Sequence, residues 1–164
     1  MIFKEYKNFL SQDFFEKLKD VIMDQDFPWR RRDHMTDDPK DKMFFTHAFY
    51  NNMMPLSEAY PLYIIPILKK LQAEAPLQVR ANMSISALFK ASRWHRDYQF
   101  KCKTAILYLN DCDGGTDLKI NNKIIFIKAD ANKMLVFDTD VLHRALTSKK
   151  EPMRYVINFN YFTK

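Results

Sequence analysis

Apolar residues along this chain change their spacing at Pro76. Upstream they recur with a helical period. Phe14, Phe15, Leu18, Val21 and Ile22 fall on one face of a helix that Ser11 can cap. Asp26–Asn52 is polar and irregular, broken by Pro28 and Pro39, and holds an aromatic island at Phe44–Tyr50. Pro55, Pro61 and Pro66 punctuate a second helical stretch, cleanest over Leu62–Ala73, with Tyr63, Ile64, Ile67, Leu68 and Leu71 on its buried face. Downstream the period falls to two. Leu77–Phe89, Lys103–Leu109, Asp117–Ile120, Lys123–Lys128, Lys133–Phe137, Leu142–Thr147 and Met153–Phe162 are β-branched or aromatic runs separated by turn residues. Asn121-Asn122 predicts a two-residue hairpin loop, and Asp113-Gly114-Gly115 a tight turn. The two glycines are the only ones in the chain, so their adjacency points to a backbone constraint.

Helices followed by short strands predict an α+β, mainly β chain. The expected architecture is a double-stranded β-helix, a cupin-like jelly roll, with N-terminal helices packed on one sheet. On this reading residues 1–164 form a single domain, 1–76 giving helical support and 77–164 the jelly-roll core.

Composition narrows the class. The chain has 164 residues, 47% of them hydrophobic and 15% aromatic, which suits a globular, β-rich core. MIFKEYKNFL has no apolar signal region, and no run of eighteen apolar residues occurs, so neither secretion nor a membrane partner is expected. Cys102 and Cys112 lack metal-binding or redox spacing and are expected as packing residues of a cytoplasmic protein. The net charge of +6 is concentrated after residue 90, where Arg93, Arg96, Lys101 and Lys103 flank a histidine–aspartate pair. Those cations either draw an anionic substrate or solvate outward strand positions. Arg30-Arg31-Arg32, followed by Asp33, Asp37, Asp38 and Asp41, reads as a mixed-charge surface loop.

The candidate chemistry lies in that second half. His95 and Asp97 are two residues apart, so an extended segment turns both to one side, and His143 opens a later strand. Two histidines and one carboxylate form the facial triad of non-haem Fe(II) sites, leaving positions for a chelating 2-oxo acid and O₂. On the last strand Arg154, Val156, Asn158 and Asn160 share one face and Tyr155, Ile157, Phe159 and Tyr161 the other. If the polar face looks inward, Arg154 needs an anion, which the C5 carboxylate of 2-oxoglutarate supplies. Thr104, Ile106, Tyr108 and Asn110 share a face likewise, and Tyr108 can donate to the same carboxylate. The bland alternatives are a structural His143 and an exposed, edge-strand Arg154.

In ordered combination these segments resemble the 2-oxoglutarate/Fe(II)-dependent oxygenases, in their prolyl-4-hydroxylase-like branch, and within it small proteins of marine phages and bacteria. The matching residues are WHRDY at 94–98, TAILYLND at 104–111, GGT at 114–116, MLVFDTDVLHRALTS at 134–148 and MRYVINFNYF at 153–162. FTHAFY at 45–50 and RANM at 80–83 are similar too. The resemblance implies that His95, Asp97 and His143 bind iron and act as the catalytic centre. It implies that Arg154 and Tyr108 bind 2-oxoglutarate, with Asn158 a further candidate. Fe(II), 2-oxoglutarate and O₂ are the implied cofactors, with ascorbate an optional reductant. Two departures stand out: bulky Trp94 beside the triad, and SISALFKAS at 84–92, where hydroxylases carry pocket aromatics.

The expected function is a dioxygenase that hydroxylates a peptidyl proline or other residue, or a small molecule, with release of succinate and CO₂. The alternatives are a nucleic-acid oxidising or demethylating oxygenase, motivated by the basic mouth, and a catalytically silent jelly-roll binding module. The two-residue Asn121-Asn122 turn leaves no room for a covering insertion, which moves specificity to residues 26–55 and 92–101. Trp29, Phe44, Phe45 and Tyr50 are candidate lining there, or else helix-to-barrel packing.

Overall fold

The computed structural model describes residues 2–34, 43–86, 88 and 90–164. Eleven strands and two α-helices follow one another as β1 (Phe3–Tyr6), α1 (Gln12–Met23), β2 (Arg30–Arg32), β3 (Phe44–Asn51), β4 (Met54–Pro55), α2 (Ile65–Lys70), β5 (Ala75–Ile85), β6 (Lys103–Tyr108), β7 (Gly115–Ile120), β8 (Lys123–Lys128), β9 (Met134–Asp138), β10 (Leu142–Leu146) and β11 (Met153–Phe162). A π-helical stretch at Tyr60–Ile64 leads into α2. The strands form two antiparallel sheets. The major sheet runs β1-β9-β6-β11-β5-β3-β2, with β4 paired to β3, and the minor sheet runs β10-β7-β8. This is the expected jelly roll.

Period-two alternation becomes two separate cores because the major sheet is covered on both faces. Val79, Ala81, Ala105, Leu107, Ile157 and Phe159 project to one side and bury against Phe15, Leu18 and Ile22 of α1 and Ile64, Ile67 and Leu68 around α2. Ile106, Tyr108, Leu135, Phe137 and Val156 project to the other side, toward Leu118 and Ile127 of the minor sheet. The helices therefore pack on one sheet, as expected. Ser11 stands at the N-terminus of α1, but its hydroxyl makes no capping bond there.

The turns behave as their residues demand. Asn121 and Asn122 adopt φ of 49° and 62°, the paired left-handed conformation of a type I′ hairpin joining Ile120 to Lys123. Neither glycine has positive φ. Their constraint is close approach: a Cβ on Gly114 would lie 2.7 Å from the Leu146 carbonyl oxygen, and one on Gly115 would lie 2.1 Å from that of Ile127.

The first half departs from expectation in several places. The aromatic island at Phe44–Tyr50 is not irregular chain but β3, paired with β5. Arg30-Arg31-Arg32 is not a loop but edge strand β2, paired with β3, although Arg31 and Asp33 do form an ion pair at 2.7 Å. Phe3–Tyr6, unassigned from sequence, is edge strand β1 on β9. The second helix is shorter than Leu62–Ala73, its α-helical part ending at Lys70. The strand expected over Leu77–Phe89 ends at Ile85; Ala87 and Phe89, like Pro39, Asp37, Asp38 and Asp41, lie outside the described residues.

Candidate metal and anion site

His143 lies on β10, whereas His95 and Asp97 follow in an irregular segment rather than a strand. That segment is tied to β10 by one backbone bridge, in which His95 N–H donates to the His143 carbonyl and His143 N–H to the His95 carbonyl, both at 3.0 Å. The bridge sets the imidazoles side by side, with ring centroids 4.4 Å apart. Asp97 Oδ1 sits 3.7 Å from His95 Nε2 and 3.6 Å from His143 Nε2. One ligand atom from each of the three residues lies within 4.8 Å of the others, so together they can hold a metal ion.

Each donor is oriented from behind. His95 Nδ1 lies 3.0 Å from the Arg93 carbonyl and His143 Nδ1 3.3 Å from that of Val141. A carbonyl only accepts, so each Nδ1 carries a proton and each Nε2 is left facing Asp97. Asp97 Oδ2 accepts from Thr104 Oγ1 at 3.1 Å and from Asn160 Nδ2 at 2.8 Å, which turns Oδ1 to the histidines. Burial, and then the charge of His143, lower the pKa of His95 and favour the neutral ring. Burial opposes the charge on Asp97. The His143 and His95 imidazoles and the Asn160 amide outweigh it and hold the carboxyl below its ordinary range.

Beside this triad opens a narrow cavity of about 40 Å³. Arg154 lines it and is 4% exposed. Its Nη2 donates to Thr116 Oγ1 at 3.2 Å, its guanidinium stands 5.4 Å over the Tyr108 ring, and its Nε has no partner. Arg154 is thus inward and buried, not an exposed edge residue. Tyr108 is buried too, its hydroxyl 2.8 Å from Thr116 Oγ1 and its pKa pushed up to about 12 by burial. Thr116 accepts from both neighbours, so its own proton is free to point at a cavity ligand.

Asn158 also faces the cavity, and its Oδ1 is buried without a partner. The residue that supports the triad from β11 is instead Asn160, one turn of the strand alternation further on. Sequence reasoning noted its inward face but gave it no role, and it missed Thr104, Thr116 and Arg80. The only signal was polarity at inward positions of hydrophobic strands. Of the four aromatic candidates for lining, Phe44 faces the cavity. Trp29 packs near Tyr155, and Tyr50 stacks on Tyr60 at 5.2 Å. Trp94 lies 4.5 Å from the Arg144 guanidinium, which Asp117 holds at 2.9 Å.

Comparison with known proteins gives the class. Residues 85–162 match the family model described as the 2OG-Fe(II) oxygenase superfamily. No curated protein matches the chain. Among solved structures, a Pseudomonas putida prolyl-4-hydroxylase is similar at TM-score 0.75 and 14% identity, covering 99% of this chain and 93% of its own. An oxidoreductase of the 2OG-Fe(II) oxygenase family from Burkholderia pseudomallei has TM-score 0.75 at 8% identity, covering 98% of this chain and 84% of its own. A prolyl hydroxylase from Trichoplax adhaerens, in complex with a hypoxia inducible factor oxygen degradation domain peptide fragment, has TM-score 0.69 at 15% identity, covering 98% and 83%. Residues 85–162 thus carry the pattern of the 2OG-Fe(II) oxygenase superfamily, an oxidoreductase class, and the fold of the chain is that of the prolyl-4-hydroxylase-like structures. The family implies Fe(II), 2-oxoglutarate and O₂.

Proposed function

We propose that this protein is a 2-oxoglutarate-dependent non-haem iron dioxygenase that hydroxylates a peptide residue or a small molecule. One juxtaposition carries the reading: three metal-type donors within 4.8 Å of one another, beside a cavity into which the unpartnered, buried Nε of Arg154 projects. His95, Asp97 and His143 would hold the iron, two neutral imidazoles and one carboxylate being a donor set suited to Fe(II). Arg154, with Thr116 and Tyr108, would take the far carboxylate of 2-oxoglutarate, and Asn158 would face its reacting end. When bound, the iron supplies O₂ activation coupled to oxidative decarboxylation of 2-oxoglutarate to succinate and CO₂.

The remaining tasks belong to the chain. Thr104 and Asn160 fix the Asp97 carboxylate, and the backbone carbonyls of Arg93 and Val141 fix the imidazole tautomers. Ile106, Val156 and Phe44 give the cavity apolar walls that limit water. A peptide substrate is suggested by the peptide bound to the similar Trichoplax protein. We read residues 1–164 as one oxygenase unit, to which 1–76 contribute sheet strands as well as helices. The buried free thiols of Cys102 and Cys112 suit a reducing compartment, so we assign the protein to the cytoplasm.

The test is anaerobic addition of Fe(II) and 2-oxoglutarate, watching for the visible metal-to-ligand charge-transfer band, then succinate formation in air. A wild-type protein without the band would sink the proposal. A band that survives His143→Ala would reject the ligand assignment.

A further inference from the structure

Among the described residues, five buried side-chain atoms lack a hydrogen-bond partner: His47 Nε2, Arg80 Nε, Ser84 Oγ, Arg154 Nε and Asn158 Oδ1. All but the first belong to residues lining the cavity beside the triad. They sort into two pairs by strand register. Ser84 lies opposite Arg154, and Arg80 lies opposite Asn158. Four residues of β11 separate the two rungs, a backbone distance of roughly 13 Å at about 3.3 Å per residue. The two guanidiniums also have different surroundings. The charged and titratable neighbours of Arg154 are Tyr108 and Cys112, whereas those of Arg80 are Asp97, Tyr98 and Arg32. The cavity is therefore lined by two arginines, one from each rung.

The co-substrate accounts for only one of them. With its far carboxylate on Arg154, 2-oxoglutarate has its other acid group to present to the metal, and Arg80 is left over. Asp97 attracts it through space but does not pair with it directly. Oδ2 of that carboxylate is held by Thr104 and Asn160, Oδ1 faces the two imidazoles, and no ion pair joins it to Arg80 among the described residues. A guanidinium stays charged in any site, and Arg80, half-buried with its buried Nε unpartnered, stands beside a reaction centre where an anionic ligand would complete its contacts. The positive face extends outward. Arg32 on edge strand β2 pairs in register with cavity-lining Phe44, Arg30 pairs with Thr46, and both are exposed with no ion pair among the described residues.

We propose that Arg80 binds an acid group of the substrate, and that the substrate is a carboxylate or similar oxyanion whose charge lies close to the carbon that is oxidised. This rests on the oxygenase reading above and narrows it. A neutral peptidyl proline, which the overall likeness alone suggests, leaves Arg80 unpaired. A free amino or hydroxy acid, or an acidic residue of a peptide, does not.

The test uses anaerobic protein loaded with Fe(II) and saturating 2-oxoglutarate, with the charge-transfer band as readout and no turnover required. Free amino acids are titrated against their amides, and end-blocked peptides with internal Asp or Glu against their Asn or Gln counterparts. At least one acid should perturb the band and bind about tenfold or more tightly than its amide, the worth of a charge-assisted contact. Arg80→Met should erase that preference while leaving 2-oxoglutarate affinity unchanged, and Arg80→Lys should keep part of it. Preference among free acids identifies a metabolite-sized substrate, and preference among blocked peptides a polypeptide one; both support the assignment. Acid and amide bound alike in every pair, no acid bound at all, or a preference that survives Arg80→Met would overturn it. So would Arg80→Met loosening 2-oxoglutarate instead. A missing band overturns the oxygenase reading as well, and is distinguished by its absence before any acid is added. Arg80→Gln serves in parallel, and a melt beside the wild type checks that both neutral variants are folded.

Discussion

At the scale of residues, the site depends on groups that hold other groups in place. Asn160 and Thr104 donate to one oxygen of Asp97 and thereby aim the other. Asn160→Leu keeps the branched side-chain skeleton and removes the donor. We expect it to weaken Fe(II) binding by about ten- to a hundredfold, the usual cost of losing a partner behind a metal ligand, as measured by metal titration. Arg154→Ala should leave metal affinity unchanged while weakening 2-oxoglutarate by roughly ten- to a hundredfold, since a charged hydrogen-bond donor is lost. A co-substrate titration indistinguishable from wild type would remove Arg154 from that role. The residues legible in the sequence were those with unmistakable chemistry on alternating strands: two histidines, an aspartate, an arginine and a tyrosine. Asn160, Thr104, Thr116 and Arg80 were not. Their roles follow from contacts between strands far apart in the chain, as in Asn160 to Asp97 across 63 residues.

Elements tell a parallel story. From β5 onward the strands were readable because turn residues separate them and β6, β9 and β11 alternate between two different cores. Upstream, alternation fails for physical reasons. β3 is covered on both sides, with Phe44 toward the cavity and Phe49 in the helix-facing core, so it reads as an unpatterned aromatic run. β2 is three arginines whose strand character comes only from pairing with β3. Two predictions belong at this level. Gly115→Ala places a methyl against the Ile127 carbonyl and should cost roughly 1–3 kcal/mol or more in a denaturant melt, and should loosen 2-oxoglutarate through neighbouring Thr116. The loop before β11 is pinned by Asp113, which accepts from Ser148 Oγ and from the N–H groups of Lys149 and Lys150. The Ser148 hydroxyl, followed by those amides, lowers the Asp113 pKa to about 2. Its folded pKa is depressed, so its contribution is present above the unfolded value near 3.8 and is lost as pH falls toward 2. Ser148→Ala should therefore lower the melting temperature at neutral pH, and the gap should close by about pH 2. A gap constant across that window would show that Asp113 does not carry it.

For the molecule as a whole, the major sheet serves two layers at once. Helices α1 and α2 seal one face, so the other is free to place polar side chains among Ile106, Val156 and Phe44. Among the described residues no helix is long and apolar enough to cross a membrane. Because a ligand that binds only the folded state stabilises it, Fe(II) at a hundredfold excess over its dissociation constant should stabilise wild type by about 2.7 kcal/mol and raise its melting temperature. Asp97→Asn should abolish most of that shift. The reciprocal bridge between His95 and His143 has a practical bearing on all such comparisons. The clasp is made of main chain, so deleting either imidazole takes away a ligand and leaves the fastening intact. Variants emptied of one donor should keep the wild-type backbone and serve as matched blanks, against which lost binding can be ascribed to the missing atom and not to a collapsed pocket.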